Sequence, residues 1–587
     1  MQKKDILFLS LAAALLAAHL IYTGPILTED TFISLRYAHN LIRGYGLVFN
    51  PGEYVEGYTN FLWTMFLAGG MLLGHSGEKV AFAGTAAAGF AALALTYLLG
   101  RRRLGAPPLF AAAGAALLAV NGSFAAEAAA GLETLAFASF IIAGVYLALG
   151  EDERPRPGRF YWSSVALAAA AMTRPEGVLV FGVVSAFRLL WPGPATRGRR
   201  LGLALRIAIP FLAVYGPYYG WRFRYYGYPL PNTFYAKVGL SWHTVGRGAK
   251  YVGYFVVLFS PVLTFLPFAG LADRQRRRDY ALVLTTAFGY LLYVIIVGGD
   301  YLGTHRFVIY VLPLIAAGAG GAAARVWQSF AGVRSLHWTA AAGFILVVVA
   351  AAVASFYAYY LSQGKVLRGT YEFVELKLPC IVLGALVITT LLWRWEFGPR
   401  ALKTAAAASF FVLAVAGSAA TLWWRPELQW EKDAWQYSKE MGLWLKATSA
   451  PGDVLVIGPA GMIPYYSDLV TYDTIGIVVP EIAHEEVAGM GTGVAGHEKG
   501  NGRILLGKNP RYVMFVGGLT DRRPLNVWDM KECAMSGHFT RLKSDVEMLS
   551  DPAFLNNYEL KHRRVRENVW FNYFERRGFN AKPVPAS

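Results

Sequence analysis

Three runs, residues 6–27, 80–100 and 403–423, have the length and apolarity of helices that cross a bilayer, for which about 20 residues are needed. A chain that crosses a membrane more than once has few options, because hydrocarbon offers its backbone no hydrogen bonds and spanning segments must satisfy their own. Composition agrees: 55% of the 587 residues are apolar and 16% are charged, whereas soluble proteins are about one quarter charged. The expected class is a polytopic α-helical membrane protein. The first run lacks a small-residue cleavage site and is read as a retained span, not a signal peptide.

The formal charge of +17 excludes little by itself. Much of it sits in short tracts between apolar runs: "RRR" at 101–103, "RGRR" at 197–200 and "RQRRR" at 274–278. Lys and Arg in short loops stay cytoplasmic, so these tracts fix topology, and no nucleic-acid partner is expected. With the N-terminus inside, residues 61–74 are an interfacial or re-entrant helix. A crossing there would put residues 101–103 outside, and 14 residues are short for a span. The remaining spans fall near 78–100, 106–122, 132–150, 160–173, 177–191, 207–221, 250–271, 280–297, 307–324, 336–360, 378–393 and 403–423. That makes about 13 crossings and leaves the C-terminus outside. Residues 1–424 are expected to form the membrane domain, with a first outer loop at 28–77, and residues 425–587 a soluble α/β domain. In the latter, "DVLVIGPAG" and "RYVMFVGG" read as buried strands closed by glycine. The two cysteines, Cys380 and Cys533, fall in a span and in this domain, so no disulfide framework is expected.

This threading gathers the charged motifs on the outer side: Glu29 and Asp30 after the first span, Glu127 and Glu133 in "EAAAGLET", Arg174 and Glu176 in "TRPEG", Lys237 at the end of "WRFRYYGYPLPNTFYAK", and Asp300, His305 and Arg306 in "GGDYLGTHR". Ionisable groups near membrane depth usually mark a site, so one outward-facing cavity is expected. Each motif also has a plainer reading. Asp30 suits the cap or first turn of a helix. Arg174 and Glu176 suit a pair bracketing a turn, and Arg306 an interfacial anchor. His305 suits a structural hydrogen bond, and the aromatic 215–235 segment a membrane belt. Together they fit an anionic lipid-linked substrate. Arg174, Lys237, His305 and Arg306 are candidate phosphate ligands. Tyr225, Tyr226, Asn232 and Tyr235 are candidate sugar contacts, with Glu133, Glu176 and Asp300 as further substrate-binding groups. Asp30 or Glu29 would serve as base toward an acceptor hydroxyl. No cofactor is required by these motifs; if a divalent metal takes part, Glu29 and Asp30 are its candidate ligands. No nucleotide-binding glycine loop is visible.

The string "FISLRYAHNLIRGYGLVFNPGEYVEGYTNFLW" after an acidic pair, followed by "GLET", "TRPEG", "PNTFYAK", "GGDYLGTHRF", "DTIGIVVPEIAH" and "GHEKG", resembles the C-type membrane glycosyltransferases, and among them the terminal β-(1→2)-arabinofuranosyltransferases. The resemblance spans nearly the whole chain. It implies a transferase in the bacterial cytoplasmic membrane with an outward active site. The donor would be a polyprenyl-phosphate-linked sugar, with arabinofuranose suggested, and the acceptor a cell-envelope glycan, glycolipid or protein. It implies that the first-loop acidic pair holds the catalytic base. The usual pair is Asp-Asp and here it is Glu29-Asp30, which places the base at Asp30 and leaves Glu29 as helper or metal ligand. The soluble domain is implied to bind acceptor glycan; His484, Glu498 and Lys499 are its candidate polar groups, or else loop-stabilising ones. The alternatives are a lipid-linked sugar flippase and a non-catalytic glycan-binding scaffold. Against the flippase, the charges lie at one face and repeats are not evident.

Overall fold

The computed structural model describes residues 2–153, 160–192, 200–239, 241–259, 264–301, 304–331, 426–487, 490–536 and 541–578. Five helices are long and apolar enough to cross a membrane: Lys3–Thr23, Gly77–Arg103, Thr134–Glu153, Arg200–Tyr226 and Arg277–Val297. Shorter apolar helices lie at Phe61–Leu72, Pro108–Val120, Trp162–Thr173, Gly177–Leu190 and Leu312–Val326. The chain is a multi-helix membrane protein. Helices occupy each span expected before residue 260, and a break at residues 264–273 follows Trp242–Phe259. The expected spans at 336–360, 378–393 and 403–423 lie outside the described residues.

Where the helices of the bundle touch closely, small residues make room. A side chain at Gly114 would meet the carbonyl oxygen of Ala316 at 2.6 Å, so Pro108–Val120 and Leu312–Ala331 approach backbone to backbone, the usual device where lipid supplies no hydrophobic drive. Phe137, Ile141, Tyr280, Tyr290, Val294 and Leu314 belong to the largest buried cluster of the bundle.

One end of the bundle is laced by the basic tracts. Asp5 accepts from Tyr97 at 2.7 Å and Arg101 at 3.1 Å. Arg103 and Arg276 share Glu153 at 2.6 and 3.1 Å. Asp152 bridges Arg188 and Arg278 at 2.7 and 2.6 Å. These residues come from the ends of helices far apart in the chain, and all are ones that the charge pattern assigns to a single side.

At the other end stands a sheet of six strands: β1 (Val454–Ile457), β2 (Val470–Asp473), β3 (Tyr512–Met514), β4 (Thr520–Asp521), β5 (Tyr558–Arg566) and β6 (Val569–Arg576). β1 runs parallel to β2 and β3. β6 runs antiparallel to β3, β4 and β5. β1 and β3 are the two apolar runs noted in the sequence, and β3 is buried along its whole length, as a central strand covered on both faces must be.

This unit does not stand apart from the membrane bundle. Helix Glu29–Ile42 lies between the two, and its burial on several sides explains why nine of its 14 residues are buried. Ile33, Tyr37, Phe49 and Tyr58 share one core with Val456, Ile477, Val513 and Phe574. Phe32, Leu35 and Trp63 share another with Met462 and Tyr466. Arg36 is buried and donates to the carbonyls of Phe49 at 2.8 Å, Leu469 at 2.5 Å and Pro464. Polar groups on the helix thus face protein and not the membrane surface.

Candidate active site

Asp30 is the second residue of helix Glu29–Ile42 and is not its cap; that position is Thr28, whose backbone is extended. The Asp30 carboxylate instead accepts from Arg306 at 2.9 Å. Arg306 is brought there by the "GGDYLGTHR" segment. Gly298 closes helix Arg277–Val297 in the left-handed conformation at φ 90°. Asp300 then accepts from Arg306 Nε at 2.5 Å. His305, itself left-handed at φ 55°, turns the chain so that Arg306 opens the next short helix. One guanidinium therefore bridges Asp30 and Asp300.

A second guanidinium is bracketed in the same way. Arg174 follows helix Trp162–Thr173 with extended backbone. It pairs with Glu133 at 2.6 Å and Glu176 at 3.0 Å, and lies over the rings of Tyr310 and Phe307. Glu133 also accepts from Asn60 at 2.7 Å, and Asn60 exchanges hydrogen bonds with Ser34 on the Asp30 helix. The two clusters belong to one cavity of about 330 Å³, lined by Asp30, Glu133, Arg174, Glu176, Lys237, Arg247, Asp300 and Arg306. Tyr58, Thr59, Asn60, Thr233 and Tyr301 supply further polar edges, and Leu132, Leu179, Leu230, Phe234, Val238 and Val297 apolar wall. Ile477, Ala495 and Gly496 close it from the sheet-bearing unit.

The cations differ in how far they are neutralised. Arg174 and Arg306 each hold two carboxylates. Arg247 holds one, Glu498 at 3.2 Å. Lys237 has no carboxylate at ion-pair distance among the described residues. Its field is nevertheless felt at Asp30. Burial would raise the Asp30 carboxyl, but the Lys237 ammonium and the Arg306 guanidinium outweigh it and hold the group at about 2. Glu29 goes the other way. Burial lifts it to about 7 against two backbone hydrogen bonds, with Asp30 adding repulsion. Its Oε1 accepts from the N–H groups of Met462 at 2.8 Å and Gly461 at 2.7 Å. Only glycine fits there, since a Cβ on Gly461 would lie 2.0 Å from the Glu29 carbonyl oxygen.

Of the residues singled out in the sequence, Asp30, Glu133, Arg174, Glu176, Lys237, Asp300 and Arg306 meet in the cavity. The others do not line it. Glu29 ties the Asp30 helix to the turn after β1. The Asn232 amide donates to the carbonyls of Gly476 and Ile477, at 2.9 and 2.8 Å, and pins the sheet unit to the loop after Arg200–Tyr226. Tyr235 stacks on His484 at 4.2 Å. His305 is buried against Tyr251 at 5.0 Å. Tyr225 and Tyr226 are also joints, bonded to Leu47. Glu498 accepts from the N–H groups of Gly491 and Gly493 at 2.7 and 2.8 Å, and Lys499 donates to the carbonyls of Ala483 and Glu485, so both stabilise loops. The sequence reading passed over Asn60, Arg247 and Tyr301. Tyr301 sits inside the quoted "GGDYLGTHR", while Arg247 carries no local signal beyond a charge on an amphipathic helix.

Glu29 and Asp30, adjacent in sequence, have different partners. Among the described residues no three His, Cys, Asp or Glu side chains gather to hold a metal ion. The pair's oxygens are turned apart, one to backbone N–H groups and one to a guanidinium.

The fold is that of a known class. The chain superposes on ArnT from Cupriavidus metallidurans with a TM-score of 0.50 at 17% identity, over 81% of this chain and 86% of that one. The same protein bound to undecaprenyl phosphate superposes with a TM-score of 0.50 at 16% identity, over 80% and 85%. The chain thus shares the fold of ArnT. The resemblance read from the motifs is met as well. The chain is 30% identical over 270 residues to a terminal β-(1→2)-arabinofuranosyltransferase of Mycobacterium tuberculosis, covering 43% of this chain and 42% of the relative. It is 26% identical over 348 residues to the protein of the same name in Corynebacterium glutamicum, covering 52% and 49%. The matches span less than half the length of these relatives. Residues 426–574 match a domain of unknown function, DUF8728.

Proposed function

We propose that this protein transfers a sugar from a polyprenyl-phosphate carrier to a hydroxyl of a cell-envelope glycan or glycolipid, on the outer side of the bacterial cytoplasmic membrane. Arabinofuranose is the sugar that the named relatives favour. One observation carries the reading: a carboxylate kept ionised, Asp30, shares a cavity with a cation, Lys237, that has no carboxylate at ion-pair distance among the described residues. A substrate with a hydroxyl at one end and a phosphate at the other answers both.

In this reading the acceptor hydroxyl gives its proton to Asp30 as its oxygen bonds to the anomeric carbon. The bond from that carbon to the phosphate oxygen breaks, and the carrier leaves as a phosphate monoester. Lys237, with Arg247 beside it, stabilises the charge that grows on that phosphate. Arg306 and Arg174 hold the carboxylates in place, and their own charges are largely consumed by the pairs they make. The apolar wall at Leu179, Leu230 and Phe234, each more than a third exposed, gives the prenyl chain a way out toward lipid. Domain 1–424 holds the chemistry, and 425–587 closes the acceptor side.

The test is purified protein with a synthetic polyprenyl-phosphoryl arabinofuranose and an arabinofuranoside acceptor. Asp30→Asn is expected to lower transfer by at least about 100-fold with an unchanged melting temperature. Full activity in that variant removes Asp30 from the mechanism. Donor movement across liposomes without product would instead mark a flippase.

A further inference from the structure

The chemistry above leaves two carboxylates of the cavity, Glu133 and Glu176, without work on the substrate. Hydrogen-bond capacity separates the groups of their cluster. A carboxylate offers about four acceptor sites. Glu133 fills two among the described residues, Oε1 with Arg174 at 2.6 Å and Oε2 with the Asn60 amide at 2.7 Å. Glu176 also fills two, both with Arg174, at 3.0 and 3.3 Å. Each keeps lone pairs in hand, in a cavity that both residues line.

Their neighbours are committed. The Asn60 carbonyl oxygen accepts from Ser34 Oγ and Thr64 Oγ1, both at 3.1 Å. Its amide nitrogen donates to Ser34 Oγ at 3.0 Å and to Glu133. All four of its positions are then taken. Arg174 spends three N–H groups on the two carboxylates, and its guanidinium lies over the rings of Tyr310 and Phe307 at 5.2 and 5.4 Å. Asn60 and Arg174 therefore hold, and Glu133 and Glu176 are free to bind.

The same network places the cluster beside the base. Ser34 follows Asp30 by four residues on helix Glu29–Ile42, about one turn, so the two share a face, and both line the cavity. The chain of contacts runs from Ser34 through Asn60 to Glu133 and Arg174. Charge divides the cavity too. Lys237 brings positive charge, whereas two carboxylates around one guanidinium leave the Arg174 cluster with a surplus negative charge. Such a wall accepts hydrogen bonds from neutral hydroxyls and repels anions. A sugar attacked at its anomeric carbon beside Asp30 must lay its remaining hydroxyls on the adjoining wall, and the open lone pairs are there.

We propose that Glu133 and Glu176 read the hydroxyls of the transferred sugar, held in place by Asn60 and Arg174, and that they select a neutral, hydroxyl-bearing sugar over one with an anionic substituent. The inference rests on the transferase reading above and deepens it. It gives the two guanidinium clusters different work: the Arg306 cluster holds the base, and the Arg174 cluster holds the groups that recognise the sugar.

The experiment crosses enzyme variants with donor variants, on the full-length protein in detergent or nanodiscs. The donors are synthetic polyprenyl-phosphoryl arabinofuranose, its monodeoxy analogues, each lacking one hydroxyl, and an analogue with a carboxylate in place of the hydroxymethyl group. Removing a hydroxyl that is read is expected to lower wild-type kcat/KM by about 10–100-fold, the usual worth of a hydrogen bond to a charged group. Glu133→Gln and Glu176→Gln are each expected to cost a similar factor with the parent donor. With the deoxy donor that lacks its partner, each should cost no more than about threefold. Asn60→Ala is expected to lose its effect on the same deoxy donor as Glu133→Gln, which a purely structural role would not produce. Aspartate at either glutamate position serves as a second variant if the glutamine folds poorly. The carboxylate-bearing donor is expected to be at least about 10-fold poorer than the parent for wild type. Losses that are equal for every donor, or a carboxylate-bearing donor used as well as the parent, overturn the inference. A wild-type protein that binds these donors but transfers from none overturns the transferase reading instead, and the same cycle read on donor affinity then decides the sugar contacts.

Discussion

At the residue scale, the balance between burial and partners decides which carboxyls hold a charge. Asp30 and Glu29 are neighbours in sequence and are displaced in opposite directions from the ordinary carboxyl range, to about 2 and about 7. Cations reach the first and only backbone dipoles the second. Asp545 is an extreme case away from the site. It is fully buried, accepts from Val516 N–H at 3.1 Å, and its other oxygen has no hydrogen-bond partner among the described residues. Burial raises it from 3.8 to about 8. A carboxyl raised on folding keeps a proton that the unfolded chain has already released, so stability falls as pH rises from the unfolded value to the folded one. Asp545→Asn removes that loss. Its melting temperature should match wild type near pH 4 and exceed it by roughly 5 °C near pH 8; an advantage that shrinks with rising pH would contradict the assignment.

At the scale of elements, helix Glu29–Ile42 is the part on which the others converge. It follows a membrane helix, yet its buried Arg36 spends its donors on carbonyls from its own loop and from the sheet-bearing unit. Arg36→Met keeps the bulk and removes the donors, leaving three carbonyls without them. The expected loss is about 3 kcal/mol, read as a lower melting temperature, with transfer measured below the transition largely retained. Unchanged stability would show that these bonds do not fasten the helix. The helix is amphipathic in sequence, and the tertiary fold decides what covers its polar side. The apolar and polar positions were correctly periodic, but the surface covering them is protein contributed from more than 400 residues away.

For the whole molecule, sidedness is the decisive property. The Asp5, Arg101–Arg103, Asp152 and Arg278 cluster and the Asp30 cavity lie at opposite ends of the bundle. In a background with Cys380 and Cys533 replaced, Tyr45→Cys and Arg102→Cys place single thiols at exposed positions toward the two ends. A membrane-impermeant maleimide should label position 45 in intact cells and position 102 only after permeabilisation. The reverse pattern would put the cavity inside and sink the proposed donor.

Much of this was legible along the chain, because apolar length and the placement of Lys and Arg obey one-dimensional rules. They sufficed for the helical membrane class, for a cavity to which Asp30, Glu133, Arg174, Lys237, Asp300 and Arg306 all contribute, and for two strands of the sheet. What lay beyond them was spatial pairing. Asn232 and Tyr235 have the chemistry of sugar ligands, and only the packing of the sheet-bearing unit onto the first outer loop turns them into joints. Arg306 and Lys237 look alike in sequence, and only distance shows that two carboxylates surround one and that, among the described residues, none approaches the other at ion-pair range. Burial and charge pairing depend on groups brought together through space, so the residues of the site could be listed from sequence while their division of labour was decided by the tertiary fold.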